Sequence, residues 1–152
     1  MGAFGKRVRW LIAVTGIAVG GCVGISDAQR GAEEAKNIVP SDYKSDILAF
    51  LRTYLNDPTN IRSAAVSQPQ LASIAPFDRY VVCLRFNART GAGQYAGVKD
   101  SVAIFLLGRL DRLIELERVG ASPEELARNK PLRDFCAAAA YQPFPELERL
   151  RR

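Results

Sequence analysis

Three cysteines, Cys22, Cys83 and Cys136, are the residues of this chain whose chemistry is most informative. A cysteine thiol can be acylated, can pair in a disulfide, can bind a metal ion or can act as a nucleophile. The 152-residue chain contains no histidine, which is the commonest metal ligand and a frequent general base. The usual forms of a serine triad, a cysteine–histidine dyad and a zinc site are therefore excluded, and we expect no enzyme, no metal and no cofactor.

Cys22 follows an apolar segment, and its position predicts lipid attachment. Three basic residues lie among the first nine, and the twelve residues 10–21 carry no charge. A basic region followed by an apolar region of this length is typical of a secretory signal peptide. The sequence Val19-Gly20-Gly21-Cys22 resembles the bacterial lipobox, in which the cysteine is diacylated before the chain is cut in front of it. We therefore predict a signal peptide over 1–21 and a lipid on Cys22.

Two other fates of the N-terminal segment stay open. Ser26-Asp27-Ala28 has the small-x-small pattern of ordinary signal cleavage, and a cut after Ala28 would release a soluble periplasmic module that binds a small molecule or a protein. An uncleaved anchor is the other alternative, although crossing roughly 30 Å of hydrocarbon takes about 20 apolar residues. By resemblance to enterobacterial lipoprotein sorting, in which Asp after the cysteine favours the inner membrane, Val23 indicates an outer-membrane lipoprotein facing the periplasm.

The charge of the mature chain is modest. Three of the 21 basic residues and none of the 16 acidic residues lie in 1–21, so removal of this segment lowers the formal charge from +5 to +2. The remaining arginines are scattered among acidic residues. A nucleic-acid-binding surface needs a clustered basic patch, and we expect no nucleic-acid partner.

Cys83 and Cys136 form an even pair once Cys22 carries lipid. In an oxidising compartment such a pair indicates a disulfide. The bridge would close a loop of about 54 residues and stabilise the domain by about 4 kcal/mol through chain entropy. Two separately buried thiols are the alternative.

The elements that must position these cysteines suggest a small α+β domain. We predict a flexible tether over 22–39 and a single domain over 40–152. An apolar stripe between Asp42 and Asp57 predicts an amphipathic helix, which Pro58 terminates. Strands are predicted at 78–89, 101–107 and 112–118, with helix as an alternative for the last, and a loop at 68–76. Residues 60–67 are ambiguous and could form a short edge strand.

The fold class that follows is an N-terminal amphipathic helix packed on a small antiparallel three-stranded meander, with short C-terminal helices. Ser122 and Pro123 predict a helix start, and Pro131 is expected to divide the region into two short helices. Val82, Leu84 and Phe86 alternate along one face of the first strand and should meet the N-terminal helix. Cys83 then points to the other face, where the segment around Cys136 could cover it.

A glycine-rich loop over 90–97 carries the candidate interaction patch. It lacks the following helix or the Lys-Ser/Thr pair of a phosphate-binding loop. Asn87, Arg89, Tyr95 and Lys99 surround this loop and form a plausible recognition patch. The alternative is a solvated hairpin loop in which Asn87 bonds its own turn. Glu115 and Glu117 alternate on the third strand, and we expect both to be solvated.

Several of these motifs occur together in a known class of proteins. Leu55 to Asn60, Cys83 with Asn87-Ala88-Arg89, Gly93 to Gly97 and the tail Tyr141 to Leu147 resemble small uncharacterised lipoproteins of alphaproteobacterial type. These carry a Cys-x-x-x-Asn-Ala-Lys/Arg segment and a Gly-x-Tyr-x-Gly loop. The resemblance implies an exported lipoprotein without catalytic activity. We therefore expect a lipid-anchored envelope protein with a structural or interaction role, whose partners are the membrane and an envelope protein or the cell wall.

Overall fold

Six strands in one antiparallel sheet form the centre of the computed structural model, which describes residues 25–74 and 76–151. The predicted signal peptide and Cys22 lie outside the described residues. The strands are β1 (Asp57–Ser67), β2 (Gln70–Ile74), β3 (Phe77–Arg89), β4 (Lys99–Leu106), β5 (Arg109–Glu115) and β6 (Tyr141–Pro143). The helices are α1 (Asp27–Glu34), α2 (Tyr43–Tyr54), α3 (Pro123–Ala137) and α4 (Pro145–Glu148).

The strand order β5-β4-β3-β1-β6, with β2 also paired to β3, corrects the predicted three-stranded meander. That fold class is wrong because residues 57–74 form a long partner for the 13-residue β3 instead of an ambiguous strand and a loop. β1 pairs with the C-terminal half of β3 and β2 with its N-terminal half. β6 adds a further edge next to β1.

A one-residue bulge joins β1 and β2. Val66 pairs with Leu84 and Gln70 pairs with Val81, so three residues of the bulged strand face two of β3. Pro69 is tolerated there because the bulge removes it from the regular ladder, where its missing N–H would cost a hydrogen bond. The buried hydroxyl of Ser67 accepts the Cys83 backbone N–H at 2.9 Å and replaces the missing ladder acceptor.

Helices cover both faces of the sheet. On one face α2 and α4 pack over Val82, Leu84 and Phe86, as the alternation of β3 predicts. On the other face α3 packs over Val81, Cys83 and their neighbours on β4. The core is therefore split by the sheet into two apolar layers.

The disulfide between Cys83 and Cys136 joins α3 to the central strand. Both cysteines are buried, and Leu132 lies one helical turn before Cys136 on the same buried face of α3. The expected division at Pro131 is wrong, since α3 runs without interruption through that proline. Packing of Leu132 and the covalent bond at Cys136 both favour continuation of the helix, against the local cost of proline.

The two ends of the sheet are built differently. The α1 end comprises α1, residues 35–39 and the turn between β4 and β5. The glycine-loop end comprises the loop 90–97, the C-terminus of α2 and the end of β5. Because β3 and β4 are antiparallel and paired from Tyr80–Phe105 to Phe86–Lys99, the start of β3 belongs to the α1 end and its finish to the glycine-loop end.

Helix α1 lies within the segment expected to be a tether. Ser26 and Gln29 form a capping box that starts the helix. The Glu33 carboxylate pairs with Arg79 of β3 and with Lys36, the latter at 2.7 Å. These hydrogen bonds, led by that from Lys36, lower the pKa of Glu33. The chain is thus held against the sheet from α1 onward.

Candidate functional site

A cleft of about 430 Å³ opens at the glycine-loop end, on the α2 face of the sheet. Tyr54 at the end of α2 forms one wall, and backbone of the glycine-rich loop forms the opposite rim. Phe86 and Ser101, both buried, lie on the floor. Three elements therefore converge on the cleft: the C-terminus of α2, the paired strands β3–β4–β5 and the glycine-rich loop.

The cleft contains a positive and a negative side chain on one face. Lys99 pairs with Phe86 across β3 and β4, and Glu115 pairs with Ser101 across β4 and β5. Residues that pair directly point to the same face, so Lys99 and Glu115 are diagonal neighbours on one face. Within the described part of the chain, Lys99 makes no ion pair.

Glu115 is bound by a tyrosine hydroxyl. The Tyr54 hydroxyl donates to Glu115 Oε1 at 3.1 Å. Partial burial, followed by the negative charge of Glu115, raises the pKa of Tyr54, so this hydroxyl stays a donor at neutral pH. An ammonium and a carboxylate beside the ring of Phe86 can hold a peptide-like ligand that carries both charges.

The predicted patch is divided between the two faces of the sheet. Asn87 and Arg89 alternate with Phe86 and lie on the opposite face, together with Tyr95, which pairs with Arg89. Lys99 lies on the α2 face, in the cleft. The structure thus brings Asn87, Arg89 and Tyr95 together on one face, and Arg89 also lines the cleft that contains Lys99.

Tyr95 attaches the glycine-rich loop to β1. Its hydroxyl donates to the Asn60 carbonyl at 2.7 Å. Its ring lies beneath the guanidinium of Arg62 at 4.2 Å and near that of Arg89 at 5.3 Å, which are cation–π distances. Asn60 has a φ of +56°, in the left-handed region that Asn tolerates better than most residues. The Tyr95 hydroxyl therefore attaches the glycine-rich loop to β1.

Buried polar atoms without partners lie beside this attachment. Asn87 Oδ1 and Arg89 Nε are both buried and make no hydrogen bond to any residue that the structure describes. The described contacts of Asn87 thus do not include a bond to its own turn. Buried unsatisfied atoms are uncommon in folded proteins, and the described residues hold two others, Asn37 Oδ1 and the Tyr141 hydroxyl, away from this loop.

Sequence reasoning missed three residues of this end. Tyr54 belongs to the apolar stripe of α2, which gives it the pattern of a core residue. Glu115 alternates with the apolar residues Ile114 and Leu116, which indicates only a solvated face. Arg62 reaches Tyr95 because β1 is bulged, and no short-range pattern reports such an irregularity.

No metal-binding cluster of three or more acidic or cysteine side chains occurs among residues 25–74 and 76–151. In the same residues, no helix has the length and apolar character needed to cross a bilayer. Comparison with known protein families, with curated proteins and with solved structures finds no match for this chain.

Proposed function

We propose that this protein is an exported lipoprotein of the bacterial cell envelope, held in the outer membrane by lipid on Cys22. In this proposal the domain acts by interaction, and its glycine-loop end binds an envelope protein or the cell wall. The observation that carries the proposal is the disulfide between Cys83 and Cys136 in the centre of the fold.

The disulfide supports export because such bonds persist in oxidising compartments and are rare in the reducing cytosol. Export also agrees with the signal-peptide pattern of residues 1–21. Lipid on Cys22 leaves no odd thiol to compete for Cys83 or Cys136, since the chain has three cysteines.

The separation of the two ends supports an interaction role. α1 follows Cys22 closely in the sequence and pairs with Arg79 at the start of β3. Arg89, beside the cleft, is ten residues further along the same strand, which corresponds to about 33 Å. A protein anchored through Cys22 would hold the cleft well away from the lipid.

Lipidation can be tested by labelling the protein with radioactive palmitate in a bacterial host and separating membrane from soluble fractions. We expect the wild type to be labelled and membrane-bound, and Cys22→Ser to lose the label. Cys22→Ala, which also removes the thiol, should lose the label as well. Equal labelling of wild type and variants would contradict the proposal.

The mass of the mature protein separates lipidation from the alternative cut. We expect a chain that begins with acylated Cys22. A chain that begins with Gln29 would contradict the lipid anchor, and it would also lack Ser26 and Asp27, which cap and begin α1.

The interaction role can be tested by placing a photo-crosslinking residue at exposed Val98, near the cleft, and at exposed Leu71 as the control. We expect a discrete adduct from position 98 that Lys99→Ala abolishes and Lys130→Ala preserves. An adduct from position 71 with none from position 98 would contradict the assignment of this end.

A further inference from the structure

The α1 end exposes a contiguous apolar surface. Ile38, Val39 and Leu107 are 52%, 59% and 55% exposed. They lie together because the Leu107 backbone N–H donates to the Lys36 carbonyl at 2.9 Å. Gly108, next to Leu107, approaches so closely that a Cβ there would lie 3.2 Å from Ile38 Cγ2.

Leu107 stands where the backbone favours a different residue. Leu107 and Gly108 form the two-residue turn between β4 and β5, with φ angles of +53° and +74°. Such turns favour Asn-Gly, because a branched apolar residue is strained at positive φ. More than half of the Leu107 side chain remains exposed, so burial in the domain offsets little of that strain.

We propose that this surface, formed by Ile38, Val39 and Leu107, lies directly on the lipid bilayer. The inference deepens the proposed function and rests on the lipid anchor. Apolar side chains at the headgroup–acyl boundary are the usual means by which a folded domain binds a membrane surface.

The short distance to the lipid supports a bilayer as the occupant. Asp27 is the fifth residue after Cys22, so an extended chain places the start of α1 at most about 18 Å from the acylated residue. α1 itself, with eight residues, adds about 12 Å. A surface tethered at this range meets the bilayer at high effective concentration.

The neighbouring charges indicate that the contact is apolar. Lys36 pairs with Glu33 at 2.7 Å, and Arg109 pairs with Asp46 at 3.0 Å. Because these cations are already paired, anionic headgroups are not needed. Docking should therefore occur on zwitterionic phosphatidylcholine and should change little between low and high salt.

Single tryptophans can test the inference. The chain's one tryptophan is Trp10, in the predicted signal peptide, so the mature protein would carry none. Leu107→Trp places a probe on the surface. Val119→Trp is the matched control, since Val119 is 81% exposed and follows β5 at the glycine-loop end.

The variants are purified in detergent from whole cells and reconstituted into phosphatidylcholine vesicles with or without brominated acyl chains. We expect brominated lipid to reduce the emission of the probe at 107 at least twofold and to leave that of the probe at 119 nearly unchanged. Val39→Trp, a second position on the surface, should behave like Leu107→Trp.

Sedimentation of the vesicles separates the two proposals. Protein that sediments with vesicles while the probes at 39, 107 and 119 respond alike overturns the docking surface and leaves the lipid anchor intact. Protein that remains in the supernatant refutes the lipid anchor and, with it, the docking proposal.

Discussion

The two ends of the sheet differ in the kind of surface that they expose. At the α1 end the charges of Glu33, Lys36 and Arg79 are paired, and Asn37 Oδ1 is buried without a described partner. Ile38, Val39 and Leu107 add an exposed apolar surface there. At the glycine-loop end Asn87 and Arg89 retain buried polar atoms without described partners. Buried unpaired groups cost folding free energy. Both ends carry such an atom, so the difference between them lies in the exposed apolar surface of one and in the cleft with Lys99 and Glu115 at the other.

Both ends depend on the central sheet, and the disulfide between Cys83 and Cys136 stabilises that sheet. Cys136→Ser should lower the free energy of unfolding by about 4 kcal/mol, because the loop it closes spans 53 residues of sequence separation. The measurement is urea denaturation of wild type and variant, with and without reductant.

Reductant should destabilise the wild type to the level of Cys136→Ser and should leave the variant unchanged. Cys22→Ser, which leaves the pair intact, is the control. A wild type that is insensitive to reductant would show that the two thiols are not bonded in solution.

The turn at the α1 end offers a way to separate stability from docking. Leu107→Asn should raise the free energy of unfolding by about 1 kcal/mol, because Asn adopts positive φ more readily than Leu. The same change should speed transfer of the lipidated protein between vesicles. Denaturation and vesicle-transfer rates measure the two effects.

Val119→Asn is the control, since it removes an exposed apolar side chain at the opposite end. It should leave the transfer rate unaltered. If Leu107→Asn destabilises the domain, the turn does not carry the strain inferred for it.

At the glycine-loop end a smaller loss is expected from Tyr95→Phe. The variant keeps the ring beneath Arg62 but loses the hydrogen bond to the Asn60 carbonyl. An exposed bond of this kind contributes roughly 0.5–1 kcal/mol. Hydrogen exchange should accelerate in the loop 90–97 and stay constant in α1.

Tyr54→Phe is the matched control, because it removes a phenolic hydroxyl from the same end and keeps the hydrogen bond between Tyr95 and the Asn60 carbonyl. Protection of the loop that is equal in wild type and Tyr95→Phe would show that the phenol does not hold the loop.

The smallest expected effect is on how the stability contributed by Glu33 at the α1 end depends on pH. Lys36 and Arg79 lower the pKa of Glu33 in the folded state, so its stabilising contribution is complete above the unfolded pKa. That contribution disappears as the pH falls through the lower, folded pKa. Glu33→Gln should therefore be less stable than wild type at pH 7, and the difference should shrink below about pH 4.

Thermal unfolding at several pH values checks this expectation. Glu34→Gln changes a neighbour that has no ion pair in the described residues and should leave the pH profile unaltered. If the difference in stability between wild type and Glu33→Gln widens in acid, folding does not lower the pKa of Glu33.

The regular elements could be predicted from the sequence, and the irregular ones could not. α2 follows from its apolar stripe and from Pro58 after it, and the alternation of β3 places Cys83 on the face that α3 covers. The sequence pattern does not show that β1 and β2 together pair with β3, because bulges near Asn60 and at Ser67–Pro69 interrupt the two-residue period.

The candidate site depends on those irregularities, which explains why only part of it was foreseen. Arg89, Tyr95 and Lys99 are close to the glycine-rich loop in sequence and were found from it. Arg62 and Glu115 reach the same end through strand pairing alone, and local patterns carry no information on distant pairing.

The opposite placement of the two ends relative to the membrane can be measured directly on the wild-type protein. Lipidated protein in nanodiscs with a paramagnetic headgroup label would show which backbone amides lie near the bilayer. We predict strong broadening of amide signals at residues 77–80 and 107–109, and little at 86–89 and 118–120. Equal broadening at both ends, or stronger broadening at 86–89, would contradict the account.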